Sequence, residues 1–557
     1  MSSLIYQGIF FFFVLLAAAL PLGWYIKEVM QGRIPRYARF LQPLERLFYK
    51  VIGPVSKKEM RGKTYFVHVL LLSFSSLVVL LLLLMTQQWL PGGEKVVNLP
   101  FDLALNTAVS FVTNTNWQAY AGETTLSHFS QIFGLTVQNF VSAGIGLSIA
   151  CALIRGISQK QKRMIGNFWQ DLTRSLVYIL LPLAFILAIV LISQGSVQTF
   201  SNGTAYQGLE GKSLWLYLGP VASQVAIKQL GTNGGGFFGA NAAHPFENPT
   251  ILANFFENLA ILLIPAALIF AFGFWVKDWK QGRTILITSL FFVSLAFVGV
   301  VVNEYYGPQL ANVVGAMNME GKEVRFGIGW SSLWAISTTA ASNGSVNAML
   351  DSFTPLGGAI PLFLMQLGEI IFGGVGSGLY GMMAFLLLAV FIAGLLVGRT
   401  PEYLGKKIEA FDIKMASVVI LTPLLLTLFG AMALVLHPDV MSWLTNSGPH
   451  AFSELLYGAT SLANNNGSAF AGLAADTPFI NLLGSLLMTL SRYLPMLVIL
   501  LLAENMGSKK KSALSEGTLS TSSPTFVTML IIVIFVVGAL SFLPAMALGP
   551  IAEYFRI

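Results

Sequence analysis

The chain has 557 residues, 55% of them hydrophobic and only 10% charged, with a mean hydropathy of +0.72 and a net charge of +7. Soluble domains carry about 25% charged residues, so a soluble globular protein is excluded. The basic balance reflects membrane topology rather than affinity for nucleic acid. A single cysteine, Cys151, rules out a disulfide framework.

Ten apolar segments are long enough to cross a hydrocarbon core, which takes about 20 helical residues. They are 4–26, 65–87, 129–153, 176–194, 252–275, 284–302, 356–398, 415–436, 477–502 and 525–547. None shows a period-2 pattern, so the spanning elements are helices. The first has no basic leader and no small-residue cleavage site, and reads as a span rather than a removed signal peptide. The seventh is too long for one ordinary helix and too short for three crossings. Gly373, Gly374, Gly376 and Gly378 lie in its middle, directly after Glu369, so it reads as one broken crossing.

The connecting segments 27–63, 154–175, 276–283, 399–414 and 503–524 hold 25 of the 32 lysines and arginines. The positive-inside rule makes these loops cytoplasmic and places both termini outside. The opposite side holds six bases, Lys95, Lys212, Lys228, Lys322, Arg325 and Arg556, against 14 acids, with Glu257 at the outer start of a span. An acidic vestibule would focus cations at a mouth. The plainer alternative is that outer loops lack bases for topological reasons alone.

Four polar runs fall on that outer side: Thr113-Asn114-Thr115-Asn116, Thr232-Asn233-Gly234-Gly235, Ser342-Asn343-Gly344-Ser345 and Asn465-Asn466-Gly467-Ser468. They recur every 110 to 123 residues, after helical stretches at 101–112, 219–231, 330–341 and 451–463 that are too short to cross. Irregular backbone at membrane depth is tolerated only where it packs in protein or lines water. Four such loops meeting at one axis satisfy that condition together. The expected fold is therefore an all-α polytopic membrane protein of about ten transmembrane helices, with four pseudo-symmetric span–pore-helix–filter–span repeats around one pore. The repeats occupy 65–153, 176–275, 284–399 (with the broken second span) and 415–505. They are preceded by a first span and basic loop at 1–64 and followed by a last span at 525–557.

In such a ring Gly234, Gly235, Gly344 and Gly467 can turn carbonyls inward, and Asn114, Asn233, Asn343 and Asn466 can brace the loops with their amides. In this alignment Thr115 stands where the other three runs have Gly. None of the runs contains a charge. Carbonyl coordination of a large, weakly hydrated monovalent cation fits better than carboxylate coordination of Ca2+ or Mg2+. One such run alone is ordinarily a polar turn; four at matching positions make a site. Glu369 and Arg492 are charges inside spans, which face either each other or a wet pathway. Lys228 is either a tethered charge near the mouth or a side chain snorkelling to the interface. The run 208–213 ends like a phosphate loop, but Tyr206 replaces its first glycine, and no catalytic constellation or Asp-Lys-Thr-Gly phosphorylation motif is present.

The runs FVTNTNWQ, SQVAIKQLGTNGGGFF, HPFENP, FGGVGSGLYGM, GRTPEYLGKKIE and NNNGSAFAGL closely resemble the potassium-binding A subunit family of the Kdp potassium-transporting ATPase, over essentially the whole chain. The resemblance implies a channel-like, non-catalytic member of the superfamily of K+ transporters in a bacterial cell or inner membrane. Its partners would be the P-type ATPase subunit KdpB and the single-span subunit KdpC, with K+ as the transported ion and no organic cofactor. K+ would enter a filter made of the four runs, with Gln118 at its edge, and pass through an intramembrane tunnel to the pump subunit. Glu369 matches the family's tunnel residue and Arg492 its intramembrane charge. Asn343 stands where family members carry Cys, a departure that bears on fine selectivity. The alternative function is a stand-alone K+ channel or cation-coupled symporter of the same architecture.

Overall fold

The computed structural model describes residues 1–310, 317–511 and 520–555. Arg556, counted above among the outer bases, lies outside the described residues. Ten helices among those described are long and apolar enough to cross a membrane, and each overlaps one of the ten apolar segments. In chain order, with the shorter helices between them, they are α1 (Ser2–Met30), α2 (Gly62–Met85), α3 (Phe101–Val112), α4 (Ser130–Ser158), α5 (Phe168–Gln194), α6 (Val221–Leu230) and α7 (Ile251–Val276). They continue with α8 (Trp279–Gly307), α9 (Gly327–Ala340), α10 (Pro355–Gln366), α11 (Ser377–Leu396), α12 (Ala410–Val435), α13 (Gly448–Ala463), α14 (Pro478–Ser508) and α15 (Pro524–Tyr554).

Local chemistry sets where these helices begin. Thr250, Thr354, Thr477 and Ser523 each cap a helix by accepting from the backbone N–H three residues on, and Pro355, Pro478 and Pro524 follow their caps at the first position. A proline there loses no intrahelical bond. The apolar windows of α4 and α7 are 83% buried, whereas those of α1, α2, α12 and α15 are 28–33% buried. The first and last spans are thus peripheral, but so are α2 and α12, the opening helices of the first and fourth repeats. The core lies around α4, α7 and α11.

Among the described residues two antiparallel hairpins interrupt the helical pattern: β1 (Gly203–Gln207) with β2 (Ser213–Tyr217), and β3 (Glu402–Tyr403) with β4 (Lys406–Lys407). The run that ends like a phosphate loop is the turn of the first hairpin, with Gln207 opposite Ser213. It therefore has no strand–loop–helix setting in which backbone N–H groups could cradle a phosphate.

The seventh apolar segment is two helices, α10 and α11, joined by a non-helical turn at 367–376. Gly368, Glu369, Phe372 and Gly376 have positive φ there. For Glu369 (φ 51°) and Phe372 (φ 52°) this is uncommon backbone that surrounding packing must hold.

Candidate functional site

The helices α3, α6, α9 and α13 end in the same way. Each C-terminus is followed by a residue in the left-handed region: Asn114 (φ 68°), Thr232 (φ 46°), Ser342 (φ 55°) and Asn465 (φ 57°). The next N–H then reaches back five residues to a helix carbonyl: Thr115 to Ser110 at 2.8 Å, Asn233 to Lys228 at 2.9 Å, Asn343 to Thr338 at 3.0 Å and Asn466 to Ser461 at 2.9 Å. This six-to-one closure satisfies an orphan carbonyl at a helix end and normally uses glycine at the left-handed position. Here Asn, Thr, Ser and Asn take it, and the β-branched Thr232 is the most strained of them.

The handedness corrects the sequence alignment of the first run. The following residue is again left-handed in all four loops: Asn116 (φ 57°), Gly234 (φ 90°), Gly344 (φ 75°) and Gly467 (φ 100°). Asn116, not Thr115, therefore occupies the glycine position, and asparagine is among the residues that tolerate this backbone best. Thr113 falls one residue before the shared loop, on the helix end, where its Oγ1 donates to the Val109 carbonyl at 2.8 Å.

The loops meet in cyclic order. A Cβ added to Gly234 would strike the Asn343 carbonyl, one on Gly344 the Asn466 carbonyl, and one on Gly467 the Thr115 carbonyl. The first loop meets the second through Asn116, whose Nδ2 donates to Gly234 O at 3.2 Å, and Asn114, whose Nδ2 donates to Thr232 O at 2.8 Å. Further bonds cross between neighbours: Asn343 Nδ2 to Lys228 O at 3.0 Å, Ser342 Oγ to Asn465 O at 2.8 Å, and Asn465 Nδ2 to Thr115 Oγ1 at 2.9 Å. Asn233 Nδ2 donates to Asn114 Oδ1 at 2.5 Å, and Gln118 Oε1 accepts from Gly236 N at 2.7 Å.

Lys228 neither sits at a mouth nor snorkels. It is fully buried on α6, ion-paired with Glu247, and donates to Gly235 O at 3.0 Å and Asn241 Oδ1 at 3.2 Å. A buried lysine is stable only with such partners, and here they brace the second loop from behind. Glu247 and Asn241 were not singled out in the sequence; the former lies in the run HPFENP. The count of 14 outer acids also needs correcting, by four. Glu247, Glu257, Glu304 and Glu454 are fully buried, and Glu304 is ion-paired to Lys322. These acids are internal struts rather than a charged funnel.

The break between α10 and α11 lies against the loops. Thr232 Oγ1 accepts from Val375 N at 2.9 Å, and a Cβ on Gly374 would come within 3.3 Å of Ser342 Cβ. Gly373 and Gly378 pack backbone to backbone, and a Cβ on Gly376 would strike the Gly146 carbonyl of α4. Glu369 and Arg492 are not ion-paired to each other among the described residues. Instead Asn466 Nδ2 donates to Glu369 Oε1 at 2.6 Å. Both charges line one small cavity of about 60 Å3, bounded by Ser342 and Asn465 of the ring and by Tyr380, Val419 and Pro423 of α11 and α12.

A bundle of ten apolar helices whose four short helices deliver a closed ring of buried polar loops defines a polytopic membrane protein of the ion-transporter class. The particular family follows from sequence: residues 9–555 match the potassium-transporting ATPase A subunit family, and the chain belongs to it. Its relatives include the potassium-transporting ATPase potassium-binding subunit of Listeria monocytogenes serovar 1/2a, 56% identical over 100% of this chain and 99% of that protein. Proteins of the same description from Clostridium botulinum strain Eklund 17B (100% of each chain) and Herpetosiphon aurantiacus (99% of each) are 52% identical. Among solved structures, the potassium transporter TrkH from Vibrio parahaemolyticus aligns with a TM-score of 0.52, covering 87% of this chain and 98% of that one, at 13% identity. That likeness concerns the fold alone.

Proposed function

We propose that the ring of four loops is a K+ selectivity filter and that the chain is the non-catalytic, ion-binding subunit of an ATP-driven K+ uptake complex. The observation that carries this reading is the cyclic order of four loops with one backbone conformation and no charge among their residues. Uncharged oxygens of fixed spacing replace the hydration shell of a weakly hydrated monovalent ion. Curated relatives over the full length are named potassium-binding subunits of a potassium-transporting ATPase, which supports the same ion.

In this reading the loops of all four repeats face outward, both termini are extracellular or periplasmic, and the five basic segments are cytoplasmic. K+ enters past Gln118, binds among Asn114–Asn116, Thr232–Gly235, Ser342–Gly344 and Asn465–Gly467, and leaves sideways. The cavity under the third and fourth loops, holding Glu369 and Arg492, supports a lateral route toward α12. The packed break at 373–378 blocks straight passage. The partners are KdpB, which hydrolyses ATP, and KdpC. ATP-driven uptake of radioactive Rb+ into cells or vesicles, with and without those subunits, tests the proposal. Uptake that needs them supports it; equal uptake by this chain alone establishes a channel or symporter instead.

A further inference from the structure

A cluster outside the ring has the chemistry of a metal site. Asp351 lies on a short turn after the third loop, His450 and Glu454 stand one helical turn apart on α13, and Glu553 lies near the end of α15. One ligand atom from each of Asp351, His450 and Glu454 lies within 4.8 Å of the others. His450 Nε2 is 2.9 Å from Asp351 Oδ1, and His450 Nδ1 is 2.8 Å from Glu553 Oε1.

A second observation concerns Glu454. It is fully buried, its Oε1 accepts from Asn446 Nδ2 at 2.6 Å, and its Oε2 has no hydrogen-bond partner. A buried carboxylate oxygen without a partner is costly. Among the ion pairs of the described residues, His450 is the only base joined to this group of three acids.

We propose that Asp351, His450 and Glu454 form a binding site for a divalent transition-metal ion of the zinc class. His450 Nε2 and one oxygen from each carboxylate are the ligands. Glu553 holds Nδ1–H and thereby fixes the ring's tautomer, the arrangement that commonly supports a metal-bound histidine. The imidazole selects against Mg2+ and Ca2+, which take oxygen ligands. Ligands of a tetrahedral zinc ion lie roughly 3.3 Å apart. The His450–Asp351 separation is already that short, and Glu454 closes the remainder by a rotamer adjustment. About a fifth of the His450 side chain is exposed, which gives the ion a way in. The site joins the segment after the third loop to the helix before the fourth.

The purified full-length chain, stripped with chelator, is titrated with Zn2+ by calorimetry and with Co2+ by visible absorption. One ion per chain is expected, with a Co2+ spectrum that reports nitrogen ligation. His450→Gln should abolish both signals, and Glu553→Gln should weaken binding about 10- to 100-fold without changing stoichiometry. Glu454→Gln replaces the unpartnered oxygen at nearly constant shape. It should lose the metal while gel filtration and thermal unfolding remain as in the parent, and this controls for misfolding of the histidine variant. The absence of binding to the parent, or binding unchanged in folded His450→Gln or Glu454→Gln, overturns the site and leaves a proton-held ion cluster.

Discussion

The Asn466 amide donates to the Glu369 carboxylate at 2.6 Å, so the fourth ring loop is tied directly to the helix break that follows the third. Asn466 also donates to Thr338 O at 3.0 Å and accepts from Ser468 N at 3.0 Å. Glu369 is thus a support of the ring as well as a wall of the cavity. Glutamine retains an acceptor oxygen and alanine does not. Glu369→Gln should keep apparent K+ affinity within about threefold while slowing ATP-coupled uptake. Glu369→Ala should weaken affinity roughly 5- to 100-fold, since it takes an acceptor from the buried Asn466 amide, a loss of about 1–3 kcal/mol. K+-dependent ATPase titration of the assembled complex measures both. Equal affinities in the two variants would remove Glu369 from the support of Asn466.

The handedness of the first loop makes a second test. Asn116→Gly should keep the loop's backbone, because glycine adopts its φ of 57° freely, and should lower uptake only through the lost Nδ2 bond to Gly234 O. Gly234→Ala should weaken K+ binding at least tenfold, because the added methyl strikes the Asn343 carbonyl and the backbone is left-handed. Strain of this kind is worth about 1–3 kcal/mol. Gly234→Asp should be worse, yet still insert into the membrane. A Thr115→Gly variant that outperforms Asn116→Gly would restore the alignment drawn from sequence.

Lys228→Met strands Glu247 in the interior. Breaking a buried pair from one side costs about 3–5 kcal/mol, so the complex should lose thermal stability and apparent K+ affinity together. The double variant Lys228→Met/Glu247→Gln should recover most of the stability and less of the affinity, because Gly235 O keeps only its bond from Asn241 Nδ2 and still lacks the lysine's. Unfolding followed by tryptophan fluorescence gives the first quantity and ATPase titration the second.

Lys406, in the second hairpin, gives a pH dependence. Burial, with Lys511 and Lys509 nearby, pushes its ammonium down to about 7. The neutral amine has two N–H donors, and Nζ has two carbonyl partners, Gly156 O at 2.9 Å and Met506 O at 2.7 Å. Between about pH 7 and the unfolded value near 10.4, the unfolded chain holds a proton that the folded chain does not. Stability therefore rises with pH across that window, and below pH 7 this residue contributes no slope. The unfolding midpoint should climb from pH 7 to 9 in the parent and climb less in Lys406→Met. Parallel profiles would show that Lys406 stays protonated.

Removing Val375 to Gly378 detaches the break from Thr232. If the break is the barrier below the ring, a variant that still elutes as folded protein should leak Rb+ from liposomes without ATP. A folded variant with no leak assigns these glycines to helix packing alone.

The spans and the four short helices were legible because hydropathy, proline and glycine mark them directly. The one-residue shift in the first loop was not. Residue likeness pairs Thr115 with Gly234, whereas backbone handedness pairs Asn116 with it, and handedness leaves no unique trace where asparagine can substitute for glycine. Lys228 was misread because its partner, Glu247, lies beyond the loop and the following turn, and a single buried pair has no period. Glu257 was counted with the outer acids because side follows from topology but burial does not; it accepts from Gln229 Nε2 at 3.0 Å inside the protein.

The bond from Asn465 to Thr115 spans 350 residues of sequence. The ribosome releases the first loop long before the fourth exists, so Asn114 and Thr115 enter the bilayer without the neighbours that later enclose them. Three quarters of the ring must wait, held by provisional bonds or trapped water, until the last quarter is inserted. A nascent chain truncated after the third repeat would carry an open arc of unmet amides in apolar surroundings, a mark by which membrane quality control can tell an unfinished copy from a finished one.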